Sequence, residues 1–431
     1  MKRTLIALAA ALLLIPGQSA TAQNEVLAHF KPYGFIRNYG IFDSRKSKSM
    51  TEEIFYLYPM DVEYADDGTT DKNAVADFKY QALTTRLGLN IVGYKFNDIR
   101  MEGKIEADFY CLNSGGNTPT LRMRQAYTKL YWDNRGKKGI VDVDLTLGQA
   151  WHPMAADMPH GINLETGVPF NPFSRSAQAM VNVTLWDKLI LTGGIVSQLQ
   201  YRSTGPAGST NNYQKYSLIP EAYFGVSFKS AGFLARAGVD LLTIKPRYGY
   251  TDAGERIKDI LFTASPMIYL QYTFEDFQIK AKSVYGQAGE HLQMMTGYVA
   301  YDITDPAHYK YSPLQQSISF LSMQYGRELQ GMVMLGFLKN FGSIDPVIKD
   351  GNYPDTKYIY VHGSAAKNVR LMFRVCPALV YNLGKLQLGL EYNFTGVQYG
   401  SADKLDQFGM ANTNLHMVYN HRVSLMTKFN F

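Results

Sequence analysis

The sequence predicts an all-β chain closed into a transmembrane antiparallel β-barrel of about sixteen strands, with fourteen and eighteen as the neighbouring solutions. Three observations predict it. Apolar and polar residues alternate with period two from end to end, as in KLQLGLEYNFT (385–395) and DFQIKAKSVY (276–285). The connections between the alternating segments are mostly long after odd-numbered strands and short after even-numbered ones. Beyond the N-terminal segment no run of 18 apolar residues occurs, which excludes helical spans.

The N-terminus comes first. Lys2 and Arg3 precede the eleven-residue apolar run LIALAAALLLI, Pro16-Gly17 break it, and Ala20-Thr21-Ala22 offers a small-x-small cleavage site. Residues 1–22 therefore read as a secretory signal peptide and 23–431 as the mature barrel. The formal charge is +6, two units of it from Lys2 and Arg3. That is too mild and too dispersed for a nucleic-acid partner. Two cysteines, Cys111 and Cys376, exclude a disulfide framework and leave a single bridge open. Abundant Tyr (31) and Phe (23) suit strands.

The strands are expected near 31–42, 79–94, 99–112, 120–133, 140–150, 179–187, 188–201, 217–228, 232–243, 259–274, 277–290, 316–326, 331–339, 367–382, 385–397 and 416–431. The even connections shrink to pieces such as KSAG, Glu275-Asp276 and Leu383-Gly384. The last strand, RVSLMTKFNF, sets Val423, Leu425, Thr427, Phe429 and Phe431 on one face and ends on an aromatic residue.

The stretch Ile99–Leu112 decides which face is which. Arg100, Glu102, Lys104, Glu106 and Asp108 occupy one parity, and Ile99, Met101, Ile105, Ala107 and Phe109 the other. Within a bilayer all backbone groups must pair inside the protein, so only a closed barrel lets strands cross. An Arg or Lys at mid-bilayer on the lipid face costs about 2–4 kcal/mol, so turning Arg100 and Lys104 outward would cost about 4–8 kcal/mol. The charged row faces a wet lumen.

The connection after the fifth strand, 151–178, is the third long loop. Pro153, Pro159, Pro169 and Pro172 stiffen it, and it carries His152, Asp157, His160, Glu165 and Arg175. It is expected to fold inward and narrow the lumen. Arg86, Arg100, Arg122 and Arg124 are expected on the facing wall, so that fixed cations oppose loop carboxylates and give a weak anion preference. The plainer reading is that these arginines are held in ion pairs with Glu102, Glu106 and Asp108, and both readings can hold at once. Lys280, Lys282, Arg370, Arg374 and Arg422 add positive charge elsewhere on the inner parity.

No catalytic residues are expected. There is no G-x-S-x-G, H-E-x-x-H or Walker loop, and the histidines are scattered over different segments, so the chain does not read as an enzyme. No cofactor is expected. The acidic stretch 61–71 carries the oxygen ligands a Ca2+ ion takes, although a solvated acidic loop is the favoured reading of it.

FKPYGFIRNYGIFDSR, ALTTRLGLN, KIEADFY, LRMRQAY, GQAWHPMAADMP, ETGVPFNPFSRS and LIPEAYFG together resemble a porin-like outer-membrane barrel family of Bacteroidota, loosely similar to DcaP-type porins. The resemblance runs over most of the mature chain and implies an abundant envelope protein that passes small polar solutes. The expected function is therefore passive diffusion through a water-filled barrel in a bacterial outer membrane. A plugged barrel acting as a structural protein, adhesin or binding protein is one alternative, and a transporter of hydrophobic substrates another. The partners that follow are outer-membrane lipid and lipopolysaccharide and small polar solutes. A homotrimer and a lipoprotein partner remain open.

Overall fold

The computed structural model describes residues 28–50, 55–112, 119–132, 141–162, 167–361 and 367–431. The signal-peptide expectation falls on residues outside these. Sixteen strands form one closed antiparallel sheet. They are β1 (Phe30–Asp43), β2 in two pieces (Asp77–Gln81 and Arg86–Phe96), β3 (Ile99–Leu112), β4 (Pro119–Trp132), β5 (Val141–Trp151), β6 (Arg175–Leu185), β7 (Leu189–Ser197) and β8 (Glu221–Ser230). The second half comprises β9 (Phe233–Ile244), β10 (Leu261–Phe274), β11 (Phe277–Gln287), β12 (Lys310–Tyr325), β13 (Leu329–Ser343), β14 (Val369–Leu383), β15 (Leu386–Tyr399) and β16 (His416–Asn430).

Each strand pairs with its neighbours in sequence, and the ends meet: β1 lies along β16 from Phe35↔Asn430 to Asp43↔Arg422. Gly34 and Phe431 exchange backbone hydrogen bonds of 3.2 and 3.1 Å to complete the seam. The short connections are tight. Ala231 and Gly232 sit at φ 45° and 80°, and Trp186 and Asp187 at 53° and 58°, the sense required of both central residues in a type I′ hairpin turn.

The outward parity carries an apolar belt, with Leu87, Phe224, Ile268, Leu335, Leu390 and Leu425 all exposed. No described helix is long and apolar enough to cross a membrane; the crossing elements are strands. Ile268, half-exposed in the middle of β10, is a clean probe of the belt. Ile268→Arg is expected to cost about 2–4 kcal/mol of barrel stability in lipid vesicles. Denaturant titration of the folded barrel checks it, and a cost near zero would mean that this face does not meet lipid.

The structure corrects two expectations. The expected second strand, 79–94, is broken at residues 82–85. There Thr85 N–H turns back to Ala82 O (3.4 Å) and the Thr84 hydroxyl accepts from Arg37 Nε (2.7 Å), so Thr84 is buried in the interior rather than sitting within a strand. Arg175, expected in the third loop, is the first residue of β6. The first long connection also packs against the inner wall. In the first long connection, Ser47–Met50 pairs with Phe55–Pro59, whose Phe55, Tyr56, Leu57 and Tyr58 are buried. Tyr399 Oη donates to Pro59 O (2.7 Å) and Asn420 Nδ2 to Tyr56 Oη (3.2 Å). One apolar core joins Phe55 and Leu57 of this loop to Met154, Val168, Phe170 and Phe173 of the third, and both to wall residues Ile318, Leu338, Met372 and Val397.

Candidate functional site

On the first half of the wall, β3 and β4 place their charges together because of a bulge. Glu106 pairs with Gln125 but Ala107 with Met123, so Arg124 is the extra residue. Before the bulge Arg122 and Arg124 share a parity; after it Gln125, Tyr127 and Lys129 take over the same face. Arg124 and Gln125 are therefore both buried and both reach Glu106, at 2.8 and 3.2 Å. Arg124 Nη1 also donates to Asp108 (2.6 Å), which Arg122 holds in a two-pronged contact of 3.1 and 3.1 Å. Arg86 and Lys104 stand 3.8 and 4.0 Å from Glu106, and Tyr33 Oη donates to it at 2.8 Å. Arg100 pairs with Glu102 and lies over the Tyr131 ring at 3.6 Å.

Four cations thus contact two carboxylates, Glu106 and Asp108. Next to them Arg37, Arg86 and Lys428 surround one aromatic ring, that of Phe35, at 5.0, 5.0 and 4.7 Å. The ion pairing considered for these arginines in the sequence is present here.

The third loop meets the other half of the wall. Lys282 Nζ donates to Met154 O (2.5 Å) and Lys280 Nζ to Met158 O (3.3 Å). Asp157 pairs with Arg236 of β9. Further along, the His160 N–H donates to Ser322 Oγ (2.8 Å) and the Ile162 N–H to Glu391 Oε2 (2.9 Å), while Tyr39 Oη reaches Ile162 O (3.2 Å). Arg374, fully buried, donates to Val168 O of the third loop and Leu57 O of the first, both at 2.8 Å, and to Thr395 Oγ1 at 3.0 Å. Between this loop and the strands β4–β9 lies a cavity of about 320 Å3, lined by Gln125, Tyr127, Lys129, Thr146, Asn182 and Arg236 among others.

Of the thirteen expected lining residues, Arg86, Arg100, Glu102, Lys104, Glu106, Asp108, Arg122 and Arg124 come together in the β3–β4 cluster. Asp157 and His160 lie on the loop against the opposite wall. Glu165 falls outside the described residues. His152 is fully buried, accepting from the Met154 N–H (3.1 Å) and contacting Glu221 (2.7 Å), so no solute touches it. Arg175 is buried between Trp151 (4.6 Å) and Phe173 (5.4 Å).

Residues the sequence did not single out include Arg236, Glu391 and the Phe55–Pro59 segment. Only the inward parity of Arg236 in ARAG would have signalled it. In the acidic loop Asp71 pairs with Arg45 (2.5 Å) and Asp61 with His416 (2.6 Å). The Thr70 hydroxyl and N–H, with the Thr69 N–H, donate to Asp67 and hold its carboxyl down at about 2. Cys376 is a buried free thiol.

No family model matches the chain, and no curated protein matches its sequence. Among solved structures, the outer membrane channel DcaP of Acinetobacter baumannii superposes with a TM-score of 0.65 at 16% identity, over 93% of this chain and 97% of that one. An anion-selective porin from Comamonas acidovorans gives 0.50 at 10% identity, over 93% and 99%. Salmonella typhi OmpF in complex with daunomycin gives 0.50 at 11%, over 93% and 97%. At such identities the likeness concerns architecture, and the chain has the barrel fold of outer-membrane porins.

Proposed function

We propose that this chain is an outer-membrane diffusion channel that passes small polar solutes, with a weak preference for anions, through the gap between the third loop and the β3–β9 wall. The observation that carries the proposal is the pairing of an apolar outer belt with an inner wall of ionised side chains beside a polar cavity. Charges at such density need water, and water beside a low-dielectric wall makes a path for ions. The third loop narrows the path. The cations around Glu106, Asp108 and Phe35 set its sign, because a passing anion meets guanidinium groups already aligned for it.

The test is a reversal potential in planar bilayers under a salt gradient. Wild-type protein is expected to give steady ohmic steps and a potential of anion-permeable sign. Lys104→Glu with Lys129→Glu, both part-exposed to the interior, is expected to move that potential towards cations. An unchanged potential would remove these residues from the path. The two loops packed against the inner wall favour a second reading, a plugged barrel serving as a binding or structural protein. Silence from correctly folded protein would select it.

A further inference from the structure

Four side chains from four separate segments meet beneath the rim of long loops. His152 leaves β5, Glu221 opens β8, Asp240 lies in β9, and His291 sits in the short 3-10 turn Gly289–Leu292. All four are buried, none more than 2% exposed. His152 Nε2 is 2.7 Å from Glu221 Oε1 and 3.7 Å from Asp240 Oδ1. His291 Nε2 is 3.5 Å from Glu221 Oε1 and 3.4 Å from Asp240 Oδ2. Glu221 Oε2, Asp240 Oδ1 and both ring nitrogens of His291 lack a hydrogen-bond partner.

The histidine roles differ. The Met154 N–H donates to His152 Nδ1, so the ring proton sits on Nε2 and is directed at Glu221 Oε1. His152 therefore orients a carboxylate. His291 makes no hydrogen bond through either ring nitrogen, so its tautomer is not fixed by the protein, and its Nε2 faces both acids. Two carboxylates stripped of water side by side repel each other and need a compensating positive charge.

We infer that Glu221, Asp240 and His291 Nε2 bind a divalent transition-metal ion of the Zn2+ class, with His152 as the positioning residue that hydrogen-bonds the ligating Glu221. Zinc–nitrogen and zinc–oxygen bonds of about 2.0–2.2 Å in a tetrahedron set ligand atoms about 3.4 Å apart. The His291 separations match this. A ligating carboxylate fixed by an outer donor is the usual arrangement of such sites. The imidazole ligand disfavours Ca2+ and Mg2+, which take oxygen.

The ion would staple the stem of the third loop to β8, β9 and the turn after β11. That turn already holds the loop's return leg, since the Phe173 N–H donates to Leu292 O at 2.8 Å. Sequence reading treated these histidines as scattered; barrel closure and the loop bring His152 and His291 onto the same two acids.

The experiment uses the full-length barrel folded in detergent, stripped with chelator and dialysed against Zn2+ or Co2+. Expected is one bound Zn2+ per chain by elemental analysis, and visible d–d absorption bands with Co2+. Glu221→Gln with Asp240→Asn is expected to abolish both while the protein keeps its heat-modifiable folded band on a gel. His291→Gln, in a turn outside the barrel wall, tests the site with little risk to folding and is expected to lose the Co2+ bands. His152→Gln is expected to weaken Zn2+ about 10–100-fold while leaving the Co2+ band positions in place, because the ligand set is intact. Folded wild-type protein that holds no metal above background, or Co2+ bands that survive His291→Gln, overturns the assignment. The first result would mean that a protonated His291 compensates the two acids instead. Metal content is read without any transport assay, so its failure and that of the channel reading are separable.

Discussion

Arg124→Ala is expected to destabilise the folded barrel more than any other single substitution in the β3–β4 cluster. Its guanidinium is the one that reaches both Glu106 and Asp108, and all three side chains are buried. Removing one partner of a buried ion pair leaves a charge without compensation, which costs about 3–5 kcal/mol. The lower figure applies here because Arg122 remains on Asp108. Guanidinium unfolding of the detergent-folded protein reads the loss. Arg122→Ala, removing a partly exposed partner, is expected to cost less. Neutralising the two acids along with Arg124, as Glu106→Gln and Asp108→Asn with Arg124→Met, is expected to recover most of the stability. If Arg124→Ala unfolds at the wild-type midpoint, the cluster is held by something other than this arginine.

Arg374→Ala is expected to give the largest change in current. This side chain joins Val168 O of one inward loop and Leu57 O of the other to the wall, and its guanidinium lies over Tyr56 (4.5 Å) and Phe170 (5.1 Å). Losing it removes hydrogen bonds worth about 1.5–3 kcal/mol each where a charged donor is involved. Both loops then sample positions away from the wall, and single-channel recording is expected to show larger and noisier steps. Arg374→Lys is expected not to restore the wild-type trace, since one ammonium cannot serve two carbonyls and Thr395 in fork geometry. Wild-type conductance in Arg374→Ala would mean that the loops stay put without this contact.

The barrel was legible in the sequence because its cause is local. Side-chain alternation in Ile99–Leu112 or Leu386–Tyr399 follows from the pleat, and the pleat must match lipid on one side and water on the other. The register irregularities were not legible. Nothing in LRMRQAY announces that parity changes after Arg124, because a bulge is decided by the neighbouring strand. The first loop's inward hairpin was hidden for a similar reason. FYLYP falls within the long connection between the first two expected strands, and its docking is set by Arg374, Tyr399 and Asn420 of strands far away in sequence. The candidate site divides along the same line. Residues placed by strand parity, such as Arg86 and Glu106, meet in one cluster on neighbouring strands. Residues placed by the path of a loop, such as His152, lie buried away from that cluster, against Glu221.

The inward course of the first and third loops also decides what meets the surroundings at the rim. Phe55–Pro59 is sequestered with the stem of the third loop, so a protease or an antibody finds neither. What it finds instead are solvent-facing tips such as residues 252–256 and 349–353. Those tips are where an inserted epitope tag should be read on whole cells without disturbing the interior.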